Sequence, residues 1–559
     1  MKECSRGHSA KKTLLTACFV FCLCLAAGPL FTASAAGPAI ESLSRHDLVF
    51  LPAYELAELI RTGKVTSSEA VEAYLEQIAK YNPHLNAIVT LDADRARKRA
   101  READEALRRG EVWGPLHGVP VTIKDNLSTK GIRTTSGMAG LEGIVPAYDC
   151  TLVERVKKAG AVILGKTNLP PMAMDTQTDG PLLGRANNPW DLKRTTGGSS
   201  GGEAAAVAAG LSALGFGTDI GGSIRIPSHF CGVYGIKTTE NFVSNYGSYP
   251  GRKMHGIKSI RHLTSNGPLA RSVEDLKLGL SVIAGPDMKN ADIPWVDLSQ
   301  PPEKALKDLR ITWTDDFGGV PITVETREAL MAFAAKLQAQ GCKVEKLQGE
   351  LFESNMQAMR QEWKDLYDVK DSELPSPDFT TAWTTYGRLM DLEAGVYQES
   401  YFRLFNYLFG WWYRSGVPMI SMAFPLSYSK YVKTVTDRDF FVSAMDNFMT
   451  ERDVLLCPVT STPAFEHIAP WMRSGPFPLY RKPVMVDGKP LNYLVANMSY
   501  TTVFNLTGNP VAVIPIGYTK EGLPIGVQIV GKRWRDMELL GIAGQLDKVA
   551  GAYRRPGGY

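Results

Sequence analysis

The sequence lacks the residue patterns of metalloproteins, redox proteins and disulfide-stabilised domains. Its 559 residues include 8 cysteines and 8 histidines, with neither a CxxC pair nor an HExxH motif. Four cysteines fall within the first 24 residues, and the other four are widely spaced: Cys150, Cys231, Cys342 and Cys457. This spacing is typical of small buried apolar side chains rather than zinc ligands or a disulfide framework. We therefore expect neither a metal site nor a cofactor.

The chain also lacks an excess of charge of either sign. The formal net charge is +4, and residues 1–35 contribute +3 of it through four basic residues and one acidic residue. The rest of the chain is close to neutral, which argues against a nucleic-acid partner. There are no internal repeats or low-complexity tracts, and 44% of the residues are hydrophobic, as in globular proteins with a large core. The oligomeric state stays open.

The N-terminus has the pattern of an export signal. A basic start precedes the apolar run Leu14–Leu30, and Ala33-Ser34-Ala35 is a small-x-small cleavage pattern. We predict a signal peptide over 1–35 and a secreted or periplasmic protein made of one catalytic domain, 36–559. An uncleaved membrane anchor is the alternative, because the run is just long enough to cross a bilayer when stretched.

Apolar residues recur alternately with helical and strand periodicity along the mature chain. Helices are predicted over Pro52–Lys80, Leu91–Arg108, Thr151–Lys158, Glu203–Leu211, Glu325–Gln340 and Met537–Val549. Strands are predicted over Gly118–Ile123, Ala161–Leu164, Ala213–Thr218, Arg310–Trp313, Val344–Leu347, Val511–Ile516 and Gly526–Val530. This alternation predicts an α/β fold with a large sheet covered by helices on both faces.

Residues 352–450 form a helical, aromatic-rich insertion. Within it, Tyr401–Tyr413 reads YFRLFNYLFGWWY. Three interpretations stay open for this segment: a lid over a hydrophobic substrate tunnel, a membrane contact, and a buried helix that is apolar on all sides. The buried helix is favoured for the segment as a whole.

Two glycine-flanked serine sites lie between Gly197 and Pro227. Ser199 and Ser200 stand between two glycine pairs, and Ser223 follows Gly221-Gly222. A predicted helix leaves the first site and a predicted strand returns to the second. If the two elements pack antiparallel, the serines meet at one end of the layer. Two hydroxyls beside a glycine loop with free N–H groups point to acyl-transfer chemistry.

Lys124 ends the predicted strand Gly118–Ile123. By itself it would be interpreted as a solvated lysine. The alternative is a buried general base, which needs a pKa lowered from ~10.4 toward ~7. Burial lowers the pKa of an amine, and so does the positive end of a helix, such as the helix that begins after Gly202.

Three other motif matches are rejected from the residues around them. Gly160–Thr167 matches a phosphate-binding loop, but its interior residues favour a strand, and no helix opens after it. Gly197–Gly201 matches a nucleophile elbow, but Asp191–Thr196 is a poor strand and His467 has no supporting context as the base. Ser427–Lys430 matches S-x-x-K without the partner motifs S-D-N and K-T-G.

Taken together, the motifs resemble those of the amidase signature family of serine hydrolases over nearly the whole mature chain. The matching strings are PLHGVPVTIKDN (Pro115–Asn126), GAVILGKTN (Gly160–Asn168), NNPWD (Asn187–Asp191), GGSSGGEAAAVAAG (Gly197–Gly210), GTDIGGSIRIP (Gly217–Pro227), GVYGIKTT (Gly232–Thr239), GPLARS (Gly267–Ser272), NLTGNPVAVIPIG (Asn505–Gly517) and GLPIGVQIVG (Gly522–Gly531). Each string is weak alone, but their joint presence in this order is specific. The resemblance implies a mixed, twisted sheet.

The resemblance also implies the residues of the active site. Ser223 matches the nucleophile, Ser199 the bridging serine after a cis peptide, and Lys124 the base. The implied oxyanion donors are the N–H groups of Ile220, Gly221, Gly222 and Ser223, and the implied supporting residues are Ser200, Asp219 and Arg225. Ala173, Met174 and Asp175 fall in a variable segment that helps line the acyl pocket.

The resulting expectation is an exported amidase that hydrolyses the C–N bond of a small or amphipathic amide, such as a peptide, fatty or aryl amide. One alternative is an α/β-hydrolase esterase that uses Ser199 or Ser200 with His467. Another is an amidase-like scaffold kept for binding. A third is the glutaminyl-amidotransferase branch of the same family, against which the export signal argues.

Overall fold

An eleven-stranded β-sheet organises the chain in a computed structural model that describes residues 44–248, 260–348, 351–394, 427–474 and 477–559. Residues Arg45–Tyr559 form one compact unit. The strands of the large sheet follow the spatial order β1-β3-β2-β6-β8-β7-β16-β17-β11-β9-β10. They are β1 (Ile88–Leu91), β2 (Pro120–Lys124), β3 (Val162–Thr167), β6 (Leu214–Asp219), β7 (Tyr234–Lys237), β8 (Ser265–Ala270), β9 (Arg310–Trp313), β10 (Lys343–Lys346), β11 (Val454–Pro458), β16 (Val511–Tyr518) and β17 (Pro524–Val530).

Three two-stranded ribbons accompany the large sheet. They pair β4 (Asn187–Asn188) with β5 (Asp191–Thr195), β12 (Met472–Ser474) with β13 (Phe477–Leu479), and β14 (Val484–Val486) with β15 (Lys489–Leu491). The first ribbon overturns one expectation. Residues 191–196 are poor strand formers, yet β5 forms because its partner β4 lies directly across a short turn.

The sheet is mixed, and its parallel part positions the serine sites. β2 pairs in parallel with both β3 and β6, whereas β6 pairs antiparallel with β8. Parallel neighbours end at the same edge of a sheet, so Lys124, Thr167 and Asp219, the last residues of β2, β3 and β6, come to one edge.

Helices cover both faces of the sheet. They are α1 (Arg45–Leu48), α2 (Ala53–Arg61), α3 (Ser67–Leu85), α4 (Ala93–Arg108), α5 (Thr151–Lys158), α6 (Gly201–Ala208), α7 (Arg225–Cys231), α8 (Val273–Ile283), α9 (Val324–Ala339), α10 (Glu353–Tyr367), α11 (Phe379–Ala394), α12 (Tyr428–Thr450), α13 (Tyr493–Leu506) and α14 (Asp536–Ala550). The main core packs α2 to α5, α8, α9 and α14 against the sheet, and a second, aromatic core joins α10 to α13. The predicted α/β class is confirmed.

Helix boundaries follow local signals that apolar periodicity does not show. The helix predicted over Pro52–Lys80 is two helices, because Gly63 takes a φ of +69° and Thr66 then begins α3 with a capping box to Glu69. The predicted helix Glu203–Leu211 begins at Gly201 and ends at Ala208.

Two predicted segments lie outside the described residues. These are the predicted signal peptide, 1–35, and the aromatic run Tyr401–Tyr413 within the 352–450 insertion. Among the helices that the structure does describe, none has the length and apolar character needed to cross a bilayer.

Candidate active site

Lys124 is fully buried at the C-terminal end of β2. Its Nζ lies 2.7 Å from Ser199 Oγ and 3.0 Å from Thr218 Oγ1, with the carbonyl oxygen of Thr218 at 3.5 Å. All three contacts are neutral oxygens, and no ion pair joins this amine to a carboxylate among the described residues. The interpretation as a solvated lysine is therefore wrong, because a packed strand edge encloses the side chain.

Burial controls the charge of this amine. Desolvation lowers the pKa of Lys124 to about 7, and negative charge on the carboxyl groups of Asp219 and Glu203 opposes this shift only in part. A neutral amine that hydrogen-bonds a serine hydroxyl can accept its proton near neutral pH.

The first serine site is a tight turn between β5 and α6. The peptide bond between Gly198 and Ser199 is cis. A side chain at Gly198 would come within 2.7 Å of the Asp175 carbonyl oxygen, so only glycine fits there. The hydroxyl of Ser199 faces Lys124 Nζ at 2.7 Å, while Ser200 is the N-cap residue of α6.

Main-chain contacts join the two serine sites, as the antiparallel arrangement of α6 and β6 predicts. The N–H of Ser200 donates to the Ser223 carbonyl at 3.0 Å, and Ser200 Oγ lies 3.3 Å from the Thr218 carbonyl. Ser223 is 7% exposed, which leaves it the more accessible of the two predicted triad serines. The structure thus brings Lys124, Ser199 and Ser223 to one end of the layer.

Asp219 and Arg225 brace the loop that carries Ser223. Asp219 accepts hydrogen bonds from the N–H groups of Gly222 and Ile224 and pairs with Arg225 at 2.9 Å, with both side chains fully buried. Arg225 also donates to the Thr501 carbonyl and to the side chains of Gln528 and Asn505. Burial alone would raise the pKa of Asp219, but the Arg225 guanidinium outweighs it and holds that pKa well below its usual range.

The four predicted oxyanion donors are not equivalent. Gly222 gives its N–H to Asp219 Oδ1 at 2.9 Å, so it already has an acceptor. The N–H groups of Ile220, Gly221 and Ser223 make no hydrogen bond to the described part of the chain. Gly222 has a φ of +116°, and a side chain there would collide with Ile226 and Thr501. Three donors therefore remain available beside the Ser223 hydroxyl.

The predicted acyl-pocket residues include a buried carboxyl group. Asp175 accepts hydrogen bonds from Tyr480 and from Tyr493, whose rings stack 3.9 Å apart. Burial raises the pKa of Asp175 to about 6 against these hydrogen bonds. Its main chain lies behind Gly198, and Ala173 is likewise buried while Met174 is half-buried. This segment therefore supports the serine turn from behind.

His467 lies away from both serine sites. Its N–H donates to the Lys193 carbonyl, which places it beside β5, and burial lowers the pKa of its ring to about 4. Neither Ser199 nor Ser200 hydrogen-bonds a histidine among the described residues; their partners are Lys124 and Thr218. The geometry of a serine–histidine esterase is therefore not present in these residues.

Three residues near the site were not predicted from the sequence to have a role there. Thr218 holds Lys124, Glu203 lies under β2, and the hydroxyl of Tyr386 donates to the Ile220 carbonyl at 2.9 Å. Glu203 stands inside a recognised motif, and its charge in an otherwise apolar run was a usable signal. Tyr386 had none, because its position depends on how α11 packs on the sheet.

The site can be compared with those of known proteins. A family model described as Amidase matches residues 69–540. The chain belongs to the amidase signature family. Membership makes it an enzyme that hydrolyses amide C–N bonds, and the mixed α/β sheet is the fold of this family.

Relatives within the family differ in what they act on. A glutamyl-tRNA(Gln) amidotransferase subunit from Carboxydothermus hydrogenoformans is 34% identical over 502 residues, which cover 89% of this chain and 96% of that protein. A solved 6-aminohexanoate cyclic dimer hydrolase with bound substrate is 26% identical with a TM-score of 0.70, covering 91% of this chain and 99% of that one. A bacterial aryl acylamidase, 23% identical with a TM-score of 0.72 over 91% and 99% of the two chains, shares the fold.

Proposed function

We propose that this amidase is an exported hydrolase that cleaves a small or amphipathic amide through an acyl-enzyme. In this proposal Ser223 is the nucleophile, Ser199 carries the proton and Lys124 is the base. The observation that carries it is the 2.7 Å contact between Lys124 Nζ and Ser199 Oγ in a fully buried site without a carboxylate on the amine. Such an amine loses its proton readily, because burial favours the neutral form.

The reaction then follows from the order of the three groups. Lys124 takes the hydroxyl proton of Ser199 while Ser199 takes that of Ser223, and Ser223 Oγ forms a bond to the amide carbon. The N–H groups of Ile220, Gly221 and Ser223 stabilise the oxyanion. As the C–N bond breaks, Ser199 gives its proton to the leaving nitrogen and recovers one from Lys124. Water then attacks the ester and passes a proton through Ser199 to the neutral Lys124. The same two groups return that proton to Ser223 Oγ as the carboxylic acid leaves.

An aromatic and apolar wall supports the amphipathic substrate class. A side chain on Gly221 would meet Met498 at 2.7 Å and the Tyr386 hydroxyl at 2.9 Å, so both groups lie against the oxyanion loop. Met498 and Tyr386 come from α13 and α11 of the aromatic core. A flexible thioether beside aromatic rings fits an apolar portion of a substrate.

The test of the proposal is the variant Ser223→Ala, with Ser228→Ala as the matched control. Both serines are buried on or next to α7, but among the described residues Ser228 Oγ bonds only the Ile224 carbonyl. We expect Ser223→Ala to abolish amide hydrolysis and labelling by a fluorophosphonate while it keeps the melting temperature. Ser228→Ala should keep both amide hydrolysis and fluorophosphonate labelling. Turnover that persists in folded Ser223→Ala contradicts the proposal, and a wild-type chain that no fluorophosphonate labels supports a binding scaffold instead.

The second candidate function is one component of a glutamine-dependent amidotransferase, which the 34% identity to such proteins favours. The two functions predict different requirements. A hydrolase turns over fatty, aryl or peptide amides as an isolated chain, whereas an amidotransferase component releases ammonia from glutamine and depends on charged tRNA and partner proteins. A mass-spectrometric screen of the purified chain against both substrate sets separates them.

Export is a separate part of the proposal, and it depends on residues 1–35. Expression of the full chain and of a chain that begins at residue 36, each with a C-terminal tag, tests it. We expect processed full-length protein in the periplasmic or secreted fraction and the shortened chain in the cytosol. Unprocessed full-length protein in the membrane fraction supports an anchor.

A further inference from the structure

Glu203 is a fully buried acid in the first turn of α6, and the proposed reaction does not use it. Its Oε2 lies 2.6 Å from Thr122 Oγ1 on β2. Thr122 and Lys124 are two residues apart on that strand, so their side chains leave the same face of the sheet. Glu203 therefore occupies the layer in which the proposed base lies.

The carboxyl group of Glu203 is tightly enclosed. A side chain on Gly215 of β6 would come within 2.2 Å of Oε2, so this oxygen rests directly on the strand. The other oxygen, Oε1, makes no hydrogen bond among the described residues, and neither does the hydroxyl of Thr167, which is near enough to act on the carboxyl group. A buried carboxylate that accepts a single hydrogen bond is costly, whereas a carboxylic acid needs fewer partners.

Counting hydrogens along a chain of oxygens decides the charge of Glu203. Thr122 Oγ1 lies 2.6 Å from Glu203 Oε2 and 3.0 Å from Ser212 Oγ, which in turn lies 2.9 Å from the Leu214 carbonyl. These three contacts need three hydrogens, and the carbonyl supplies none. The two hydroxyls supply one each. An ionised Glu203 would leave one contact as two facing lone pairs, whereas a protonated Glu203 satisfies all three.

We propose that Glu203 is a positioning residue held as a neutral carboxylic acid, which donates to Thr122 so that Thr122 donates to Ser212 and Ser212 to the Leu214 carbonyl. This chain ties α6 to β2 and β6 without placing an anion beside Lys124. The inference rests on the proposed function, in which Lys124 must be neutral to act as a base.

The charged groups around Glu203 make its protonation matter for Lys124. Lys124 on β2 and Lys166 on β3 both act on it, while Asp219 acts on Lys124 and Asp125 acts on Lys166. Burial raises the pKa of Glu203 well above its usual range, and the hydroxyls of Thr122 and Thr167 and the two lysines oppose this rise. The two titrations are therefore coupled, and an anion at Glu203 would raise the pKa of Lys124.

Removal of Ser212 Oγ tests the hydrogen chain. In Ser212→Ala, the Thr122 hydroxyl loses its acceptor and turns to donate to Glu203, which favours the carboxylate. In the pH profile of kcat/KM, we expect the rising limb on the acid side to move to higher pH by about half to one unit. The double variant Ser212→Ala/Glu203→Gln should return the limb to the wild-type position, because no anion can form there. A purely structural role of Ser212 gives no such rescue.

Two results overturn the proposal. If Ser212→Ala leaves the acid limb in place, the Thr122 hydroxyl already donated to Glu203 in the wild type. If Glu203→Gln alone moves the limb to lower pH, the wild type carried an anion beside Lys124.

Infrared spectroscopy gives a measurement that does not depend on activity. At about pH 6, below the pKa of Glu203, the carboxylic-acid C=O band of the wild type should lose intensity in Glu203→Gln. Asp275→Asn is the matched control, because Asp275 is another buried acid whose pKa burial raises to about 6, and it accepts from the Tyr54 N–H instead of contacting the site. Its substitution should remove the Asp275 contribution and leave the Glu203 band in place. No loss of the band in Glu203→Gln overturns the neutral acid. The proposed function itself fails separately, through activity in Ser223→Ala.

Discussion

The layer of β2, β6, α6 and α7 and the aromatic core of α10 to α13 are both buried, but different forces hold them. The first encloses hydrogen-bonded polar groups, such as the Asp219–Arg225 pair with both side chains fully buried. The second is packed through rings, with Phe317 stacked on Phe379 at 4.5 Å and Phe352 edge-on to Phe441 at 5.0 Å. Polar networks demand particular partners, whereas apolar packing tolerates volume-conserving exchange.

This difference explains where chemistry and substrate choice reside in the proposed enzyme. The polar layer fixes Lys124, Ser199 and Ser223 within one hydrogen-bonded frame. The aromatic core contributes the wall of the oxyanion loop through Tyr386 and Met498. The Tyr386–Ile220 hydrogen bond joins the two regions, so a change in the core can reach the reaction without touching the triad.

We predict the largest effect for removal of the Lys124 amine, the proposed general base of the polar layer. Lys124→Met should lower kcat/KM by about 10³-fold or more, since a positioned general base contributes 10²–10⁴-fold, while the chain stays folded. The matched control is Lys237→Met, because Lys237 is also fully buried and burial also lowers its pKa to about 7. Within the described part of the chain, its amine bonds only main-chain carbonyls. Equal losses per folded molecule in both variants would remove the special role of Lys124.

The residues of this polar layer could be located from the sequence, for a physical reason. Gly198, Gly222 and the serines beside them are fixed by close approach and unusual backbone angles, so they appear as short strings such as GGSSGG and GGS. The hydrogen bond from Tyr386 to Ile220 could not be predicted, because it depends on how α11 packs against a loop that is 166 positions earlier in the sequence. Residues 191–196 show the opposite error, because pairing with β4 overrides a poor strand propensity.

The second prediction concerns pH and sharpens the same region. The base must be neutral, and burial lowers the pKa of Lys124 to about 7, so kcat/KM should rise about tenfold per pH unit below that value and level off above it. The contribution of Lys124 to the free energy of unfolding also increases with pH. Between about 7 and 10.5 the unfolded lysine binds more protons than the folded one, so this group makes the fold more stable as pH rises.

A pH–rate profile and a pH series of denaturant unfolding measure both effects. Asp175→Asn is the control for the rate profile, because burial raises the pKa of Asp175 to about 6 and its titration would fall on the same limb. A limb that disappears in Asp175→Asn assigns the titration to the carboxyl group instead of the amine.

A smaller effect tests the link between the two regions. In a planar trans peptide the C=O and N–H point in opposite directions, so Tyr386 orients the Gly221 N–H by holding the Ile220 carbonyl. Tyr386→Phe should lower kcat about tenfold with little change in KM, less than the loss of a whole oxyanion donor. The matched control is Tyr500→Phe, which removes a hydroxyl that bonds the Val320 carbonyl at 2.6 Å within the aromatic core. Each variant should cost about 1 kcal/mol of stability, but only Tyr386→Phe should slow the reaction.

We predict the smallest effect for a substitution at His467, which lies outside the polar layer. His467 lies beside β5, and the ring is neutral near pH 7 because burial lowers its pKa to about 4. His467→Ala should change kcat/KM by less than about threefold, because no reacting atom of the proposed site contacts that ring. Steady-state assays with amide and ester substrates measure this. A loss of 100-fold or more in a folded variant, on esters above all, would move the chemistry out of the Lys124 layer and revive the histidine-dependent esterase.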